Sequence, residues 1–134
     1  MRIFFDTNVL ASALATRGLC ADLFRLVVTE HELLTGEVNL TELRRVLRER
    51  FHVPLALAKE TELALRQNTI VLTPKRTLAI KVRDPDDAWV LASAVAGEAD
   101  ALVTGDKDLL SIAKHVPLRI LAPRQLWELL KPPA

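Results

Sequence analysis

An α/β fold, with a parallel sheet covered by helices on both faces, is what this sequence predicts. Three observations predict it. Short aliphatic runs alternate with segments of helical period along the whole chain. Two of those runs, Arg2–Phe5 and Ala101–Val103, end at acids standing where helices would begin: Asp6, and Asp106 in the turn Thr104-Gly105-Asp106. The stretch from Val82 to Leu110 reads as helix, strand and turn, with acids at both ends. In a parallel sheet such acids lie at the carboxyl ends of strands, where α/β folds place their sites.

The elements follow in order. Arg2 to Phe5 is a strand that stops at Asp6. Thr7-Asn8 starts a helix whose apolar face is Val9, Leu10, Ala13 and Leu14, and Thr16-Arg17-Gly18 breaks it. Ala21 to Thr29 forms a second helix with Leu23, Leu26 and Val27 inward. Glu32 to Thr35 is a strand closed by Gly36. Asn39 to Phe51 is helical, with Leu40, Leu43, Val46, Leu47 and Phe51 on one stripe. Pro54 opens another helix reaching Gln67, and Asn68 to Leu72 is a β-branched strand ended by Thr73-Pro74.

Asp84-Pro85-Asp86-Asp87 then opens a helix: an Asp N-cap, Pro in the first turn, and acids facing the positive end of the dipole. Leu91, Ala94 and Val95 recur at helical spacing before Gly97 closes it. Ala101 to Val103 is a short buried strand, Leu118 to Leu121 a fifth strand, and Pro123 opens a final helix through Leu130. The tail Lys131-Pro132-Pro133-Ala134 is expected to fray.

The chain has 134 residues, which predicts one domain spanning 1–134. A chain of this size buries roughly two-thirds of its unfolded surface without disulfides or structural metal. Half of it is hydrophobic, yet it has no Tyr, so the core is aliphatic. No apolar run approaches the roughly 18 residues of a membrane helix. The stretch before Asp6 is too short for a signal peptide. Cys20 stands alone, which excludes an internal disulfide and a Cys-based zinc site. These features suit a cytoplasmic protein. The net charge of +1 argues neither for nor against nucleic acid, since local patches decide that.

Each acid has an ordinary explanation. Asp6 and Asp106 are good N-caps, and capping accounts for Asp84. Glu42 precedes Arg45 by three residues and suits a solvated ion pair. The joint pattern says more. A helix running antiparallel to the fourth strand carries Asp87 back to that strand's carboxyl end, where Asp106 stands. If the first and fourth strands are neighbours where strand order reverses, Asp6 joins them. Glu42 is the least determined by this geometry. Clustered carboxylates without cations are costly, and a hard divalent ion relieves them. Oxygen ligands point to Mg²⁺ or Mn²⁺, suited to attack on a phosphodiester.

At these residues the chain resembles PIN-domain ribonucleases, and is most similar to the branch of toxins from toxin–antitoxin pairs, relatives of VapC. The resemblance rests on Phe5-Asp6-Thr7-Asn8-Val9-Leu10, Glu42-Leu43 with Val46-Leu47, Asp84-Pro85-Asp86-Asp87, and Thr104-Gly105-Asp106-Lys107-Asp108-Leu109-Leu110. It implies a three-layer α/β/α fold with a parallel five-stranded sheet in the order 3-2-1-4-5. It implies RNA hydrolysis with Mg²⁺ or Mn²⁺ held by Asp6, Glu42, Asp87 and Asp106. Asn8 and Thr104 match supporting positions, and Asp84, Asp86 and Asp108 belong to the same acid-rich segments. It further implies a homodimer or higher homo-oligomer and a small antitoxin. Trp89 departs from the pattern, because a smaller or polar residue is expected near the site.

Substrate contacts are expected from Arg44 and Arg45, beside Glu42, and from Arg17 and Lys107. Few aromatics make base stacking a poor route, so phosphate contacts and steep salt dependence are expected. A receiver-like signalling domain would need an Asp after the third strand and a Lys after the fifth. Leu72-Thr73-Pro74 and Leu121-Ala122-Pro123 supply neither. A haloacid-dehalogenase-type phosphatase needs a second Asp where Asn8 stands. A catalytically weak PIN-like RNA-binding or scaffold module is the alternative that keeps the fold.

Overall fold

The chain alternates strands and helices because its aliphatic runs are too short for anything but strands buried on both faces. The computed structural model describes residues 1–131, and the rest of the predicted tail lies outside the described residues. In order, the elements are β1 (Arg2–Phe5), α1 (Thr7–Ala15), α2 (Leu19–Glu30), β2 (Glu32–Gly36), α3 (Glu37–Glu49) and α4 (Leu55–Asn68). There follow β3 (Ile70–Leu72), α5 (Pro85–Ala96), β4 (Ala101–Val103), α6 (Lys107–Ser111), a 3-10 turn (Ala113–His115), β5 (Arg119–Leu121) and α7 (Pro123–Leu130).

The strands form one five-stranded parallel sheet in the order β3-β2-β1-β4-β5. This is the predicted order, and it differs from the 2-1-3-4-5 order of receiver domains. Alternation along each strand divides the core into two. Ile3 and Phe5 of β1, Leu33 of β2, and Ala101 and Val103 of β4 face one side, with Leu10, Leu23, Val27, Leu40, Leu43, Leu47 and Leu126 packed over them. Phe4, Leu34, Leu102 and Ile120 face the other, beneath Val90, Leu91, Ala94 and Leu109. Helices α1–α4 and α7 thus cover one face, and α5 and α6 the other.

The central pair positions the site. Phe5 is in register with Val103, and the Asp6 N–H donates to the Val103 carbonyl at 3.0 Å. Asp6 and Thr104 therefore stand side by side, one step beyond the last ladder pair. The chain leaves β1 towards β2 on one side and returns to its other side as β4. The carboxyl ends of β1 and β4 consequently flank the reversal of strand order.

Element boundaries moved for local reasons. The second helix begins at Leu19 rather than Ala21, directly after Gly18, whose φ of +141° is strained for any residue with a Cβ. The third begins at Glu37 rather than Asn39, because the Asn39 side chain accepts a hydrogen bond from the Gly36 N–H at 3.3 Å and so caps the helix from inside. It ends at Glu49, leaving Phe51 in the turn beyond it. Asn68 closes α4 instead of opening β3, with its amide donating to the Ala64 carbonyl at 2.7 Å.

Leu102 is fully buried in β4, on the α5 side of the sheet. Replacing it by Ala should lower unfolding free energy by about 2–5 kcal/mol. A urea melt with unchanged slope and a lower midpoint would show this.

Candidate functional site

Asp6 ends β1 and caps α1, with its backbone extended at φ −69° and ψ 161°. Its carboxylate is 7% exposed and is held on both oxygens. Oδ1 accepts from the Thr7 N–H at 2.8 Å and from Asn39 Nδ2 at 3.0 Å, and Oδ2 accepts from the Thr104 hydroxyl at 2.7 Å. Burial pushes the Asp6 carboxyl above its usual range, Thr104, Thr7 and Asn39 oppose that push by donating to it, and the Asp106 charge adds to it. Thr104 is itself fully buried, and its hydroxyl oxygen accepts from the Asp106 N–H at 3.0 Å. One hydroxyl thereby links the ends of β1 and β4 to the start of α6.

Asp106 caps α6, its Oδ1 accepting from the Asp108 N–H at 2.8 Å. Asp84 caps α5 in the same way, accepting from the Asp86 N–H at 2.9 Å. Asp87 sits in the first turn of α5 and is 9% exposed. Burial, then the charges of Asp106, Asp84, Asp6 and Asp108, push its carboxyl up to about 7. Asp6 thus feels the charge of Asp106, and Asp87 feels those of Asp106 and Asp6, across the end of β1, the start of α5 and the turn after β4. Asp87 and Asp108 also line a small hollow of about 160 Å³ with Lys81 and Arg83, and the Arg83 guanidinium stands 3.9 Å from Asp108.

The other predicted residues are placed differently. Glu42 pairs with Arg45 at 2.7 Å, as its spacing allowed, and lines a separate hollow of about 530 Å³ with Glu37, Val38, Thr41, Arg45 and Asp86. Asn8 is exposed and accepts from Arg50 at 3.1 Å, turned to a different partner from Asp6. Arg44 pairs with Glu62 at 3.1 Å, and Arg45 also reaches Glu49 at 3.1 Å. Arg17 and Lys107 are exposed. Trp89, on α5, is 37% exposed, and its carbonyl takes the Ser93 hydroxyl at 2.7 Å. A hollow of about 850 Å³ lies between α3 and α4, lined by Arg44, Arg45, Arg48, Arg66, Glu49 and Glu62 and not by Asp6, Asp87 or Asp106.

Asn39 is the residue that sequence reasoning missed. It is fully buried, and it bonds both Asp6 and, at 3.0 Å, the Thr7 hydroxyl. The available signal was Gly36-x-x-Asn39 directly after a strand, the spacing of a side chain that reaches back over a helix start.

The residues present suit a small hard cation. All the donors are oxygens, and Asp87 carries a proton affinity raised first by burial and then by four neighbouring acids. Among the described residues no three His, Cys, Asp or Glu side chains close into a complete ligand set. Mg²⁺ does not need one, since it keeps several waters and takes one or two carboxylates.

The PIN-domain family model matches residues 2–108. The chain belongs to the PIN-domain family. Solved structures share its fold at low identity. The VapBC2 structure from Rickettsia felis, bound to a promoter DNA fragment, is 14% identical, covering 91% of this chain and 98% of that one, with a TM-score of 0.65. VapBC-1 from nontypeable Haemophilus influenzae is 16% identical over 92% of this chain and 99% of that one, TM-score 0.66. VapC20 from Mycobacterium tuberculosis, a toxin that cleaves the sarcin–ricin loop, is 19% identical over 81% and 93%, TM-score 0.56. A comparison with curated protein sequences finds no match. No helix among the described residues of this PIN chain is long and apolar enough to cross a membrane.

The charge cluster has a consequence for stability. Asp6 and Asp87 bind protons more tightly folded than unfolded. The folded state keeps protons that the unfolded state has lost between the ordinary carboxylate range and about pH 7, so metal-free stability should fall as pH rises through that window. Asp87→Asn should flatten the fall and raise the melting temperature at pH 8 by about 3 °C, for about 1 kcal/mol of relieved repulsion. Calorimetric melts of both proteins at pH 5 and pH 8 in EDTA check this.

Proposed function

We propose that this chain is an Mg²⁺- or Mn²⁺-dependent endoribonuclease, hydrolysing RNA phosphodiester bonds as the toxin of a toxin–antitoxin pair. The observation that carries the proposal is the placement of Asp6 and Asp106 beyond the carboxyl ends of two neighbouring strands of a PIN chain, each capping the helix that follows, with the buried Asp87 near enough to feel the charge of both. The toxin part draws support from two VapBC structures and a loop-cleaving VapC with the same fold. A small antitoxin that covers the acids, and a homo-oligomer, belong to the same proposal.

Asp6, Asp87 and Asp106 would hold the ion, one or two of them directly and the rest through its waters. Bound there, it would supply Lewis-acid activation of water and of the phosphate. Thr104 keeps Asp6 turned towards Asp106 while donating to one and accepting from the other's backbone. Glu42 would complete the set after leaving Arg45. That exposed pair is worth little, so its release is cheap. Arg45 and Thr41 line both the Glu42–Asp86 hollow and the arginine-rich hollow between α3 and α4. An RNA strand leaving the acids would cross that ridge and meet Arg44 and Arg48.

The purified chain should cleave an RNA pool with Mg²⁺ or Mn²⁺, and excess EDTA should stop it. Asp106→Asn, which keeps the helix cap, should reduce cleavage by about a thousandfold, several kcal/mol of transition-state stabilisation. Undiminished cleavage in EDTA would sink the metal mechanism.

Changing Arg44 and Arg45 together to Ala should weaken RNA binding and lower the slope against log salt by up to about two phosphate contacts. Fluorescence anisotropy at several salt concentrations measures it. Unchanged affinity and slope would leave both arginines as partners of Glu62, Glu42 and Glu49 only.

A further inference from the structure

An ionised carboxylate offers about four lone-pair positions, two on each oxygen. At Asp6 most are taken by the protein. Oδ1 receives the Thr7 N–H and Asn39 Nδ2, which fills it. Oδ2 receives the Thr104 hydroxyl alone, so its second position is open. An ion approaching Asp6 therefore meets a single available lone pair, on the oxygen turned towards Thr104.

Asn39 is the one side chain of this set that occupies Oδ1. Thr7 N–H is backbone. Thr104 leaves Oδ1 untouched. The Asn39 amide is locked at every position that matters: Nδ2 donates to Asp6 Oδ1 and to Thr7 Oγ1, each at 3.0 Å, and Oδ1 accepts from the Gly36 N–H. Turning the amide over would set its oxygen against the carboxylate and its nitrogen against an N–H, so the orientation is dictated by the partners. Gly36 leaves the space this requires. A Cβ there would come within 2.9 Å of Asn39 Oδ1 and 2.7 Å of Ser93 Oγ.

We infer that Asn39 is a positioning residue that restricts Asp6 to one-oxygen contact with a cation through Oδ2, and thereby favours small octahedral ions over Ca²⁺. The inference rests on the metal-dependent reading above. The chemistry is that of ion size. Mg²⁺ requires near-octahedral geometry and single-oxygen carboxylate contacts suit it, whereas Ca²⁺ accepts two-oxygen contacts and higher ligand number. With Oδ1 occupied, Asp6 cannot offer both oxygens. Without Asn39 it can.

The test is calorimetric titration of the full chain and of Asn39→Ala with Mn²⁺, Mg²⁺ and Ca²⁺ separately. Mn²⁺ and Mg²⁺ affinity should fall about tenfold in the variant, the usual scale for losing a partner of a metal ligand, while Ca²⁺ affinity holds or rises. The preference for Mn²⁺ over Ca²⁺ then narrows. Equal loss for all three ions would mean Asn39 only supports the fold, and would overturn the inference, as would an unchanged preference. A native chain that binds none of the ions overturns the metal-dependent reading and this inference together. A native chain that binds Mn²⁺ beside a variant of unaltered preference overturns this inference alone. Should Asn39→Ala not fold, Asn39→Ser carries the same expectation, since its hydroxyl is too short to reach Asp6.

Discussion

The hydrogen bond from Thr104 to Asp6 is the contact on which the rest of the site depends. It joins residues 98 positions apart in sequence and exists only because β1 and β4 are paired in the register that sets Phe5 beside Val103. A slip of one residue would turn Thr104 to the other face of the sheet. The same hydroxyl accepts the Asp106 N–H, so the position of Asp106 follows from that register too. What holds the register is burial: Phe4, Phe5, Leu102 and Val103 are all fully excluded from solvent.

Around this contact the chain collects like charges that local structure alone would not. Asp84 and Asp106 are satisfied as helix caps, and Asp6 is satisfied by three donors. Among the described residues no hydrogen-bond donor compensates Asp87, and burial, then the neighbouring acids, push its carboxyl up to about 7. Burying an acid among acids is destabilising in itself. A fold tolerates such strain at places where function uses it, and the strongly aliphatic core on both sides of the sheet supplies the stability that offsets it.

The surface between α3 and α4 follows a different logic. Arg66 bonds Glu37 through its two terminal guanidinium nitrogens and reaches Glu62 through Nε, while Glu62 takes Arg44. These pairs are partly solvated, so their worth lies in fixing how α4 lies against α3 more than in raw stability. Glu37 begins the helix that carries Asn39 at its third position. The ion pairs on the outside and the Asn39 contacts on the inside therefore hold the same helix end, one from each face.

The order of elements, the parallel sheet and the short strand Ala101–Val103 were determined by the sequence itself, because aliphatic runs, helix period and the Asp-Pro helix start are local signals. The places of Asp6, Asp87 and Asp106 at element ends were legible too, since capping residues and an Asp-Pro helix start are local signals, and strand and helix directions lead those ends towards one edge. Asn39 and Glu42 were decided by the tertiary structure. Both lie on α3; the three-residue spacing already suits Glu42 to Arg45, but nothing local says that Asn39 points into the core against Asp6, 33 positions away, or that Glu42 keeps to Arg45 and not to the acids. That depends on how the helix is rotated against β1, which is set by the packing of Leu40, Leu43 and Leu47 and by the close approach of Gly36 to Ser93. A polar side chain is assigned its partner by the fold around it, whereas an apolar stripe announces its face in the sequence.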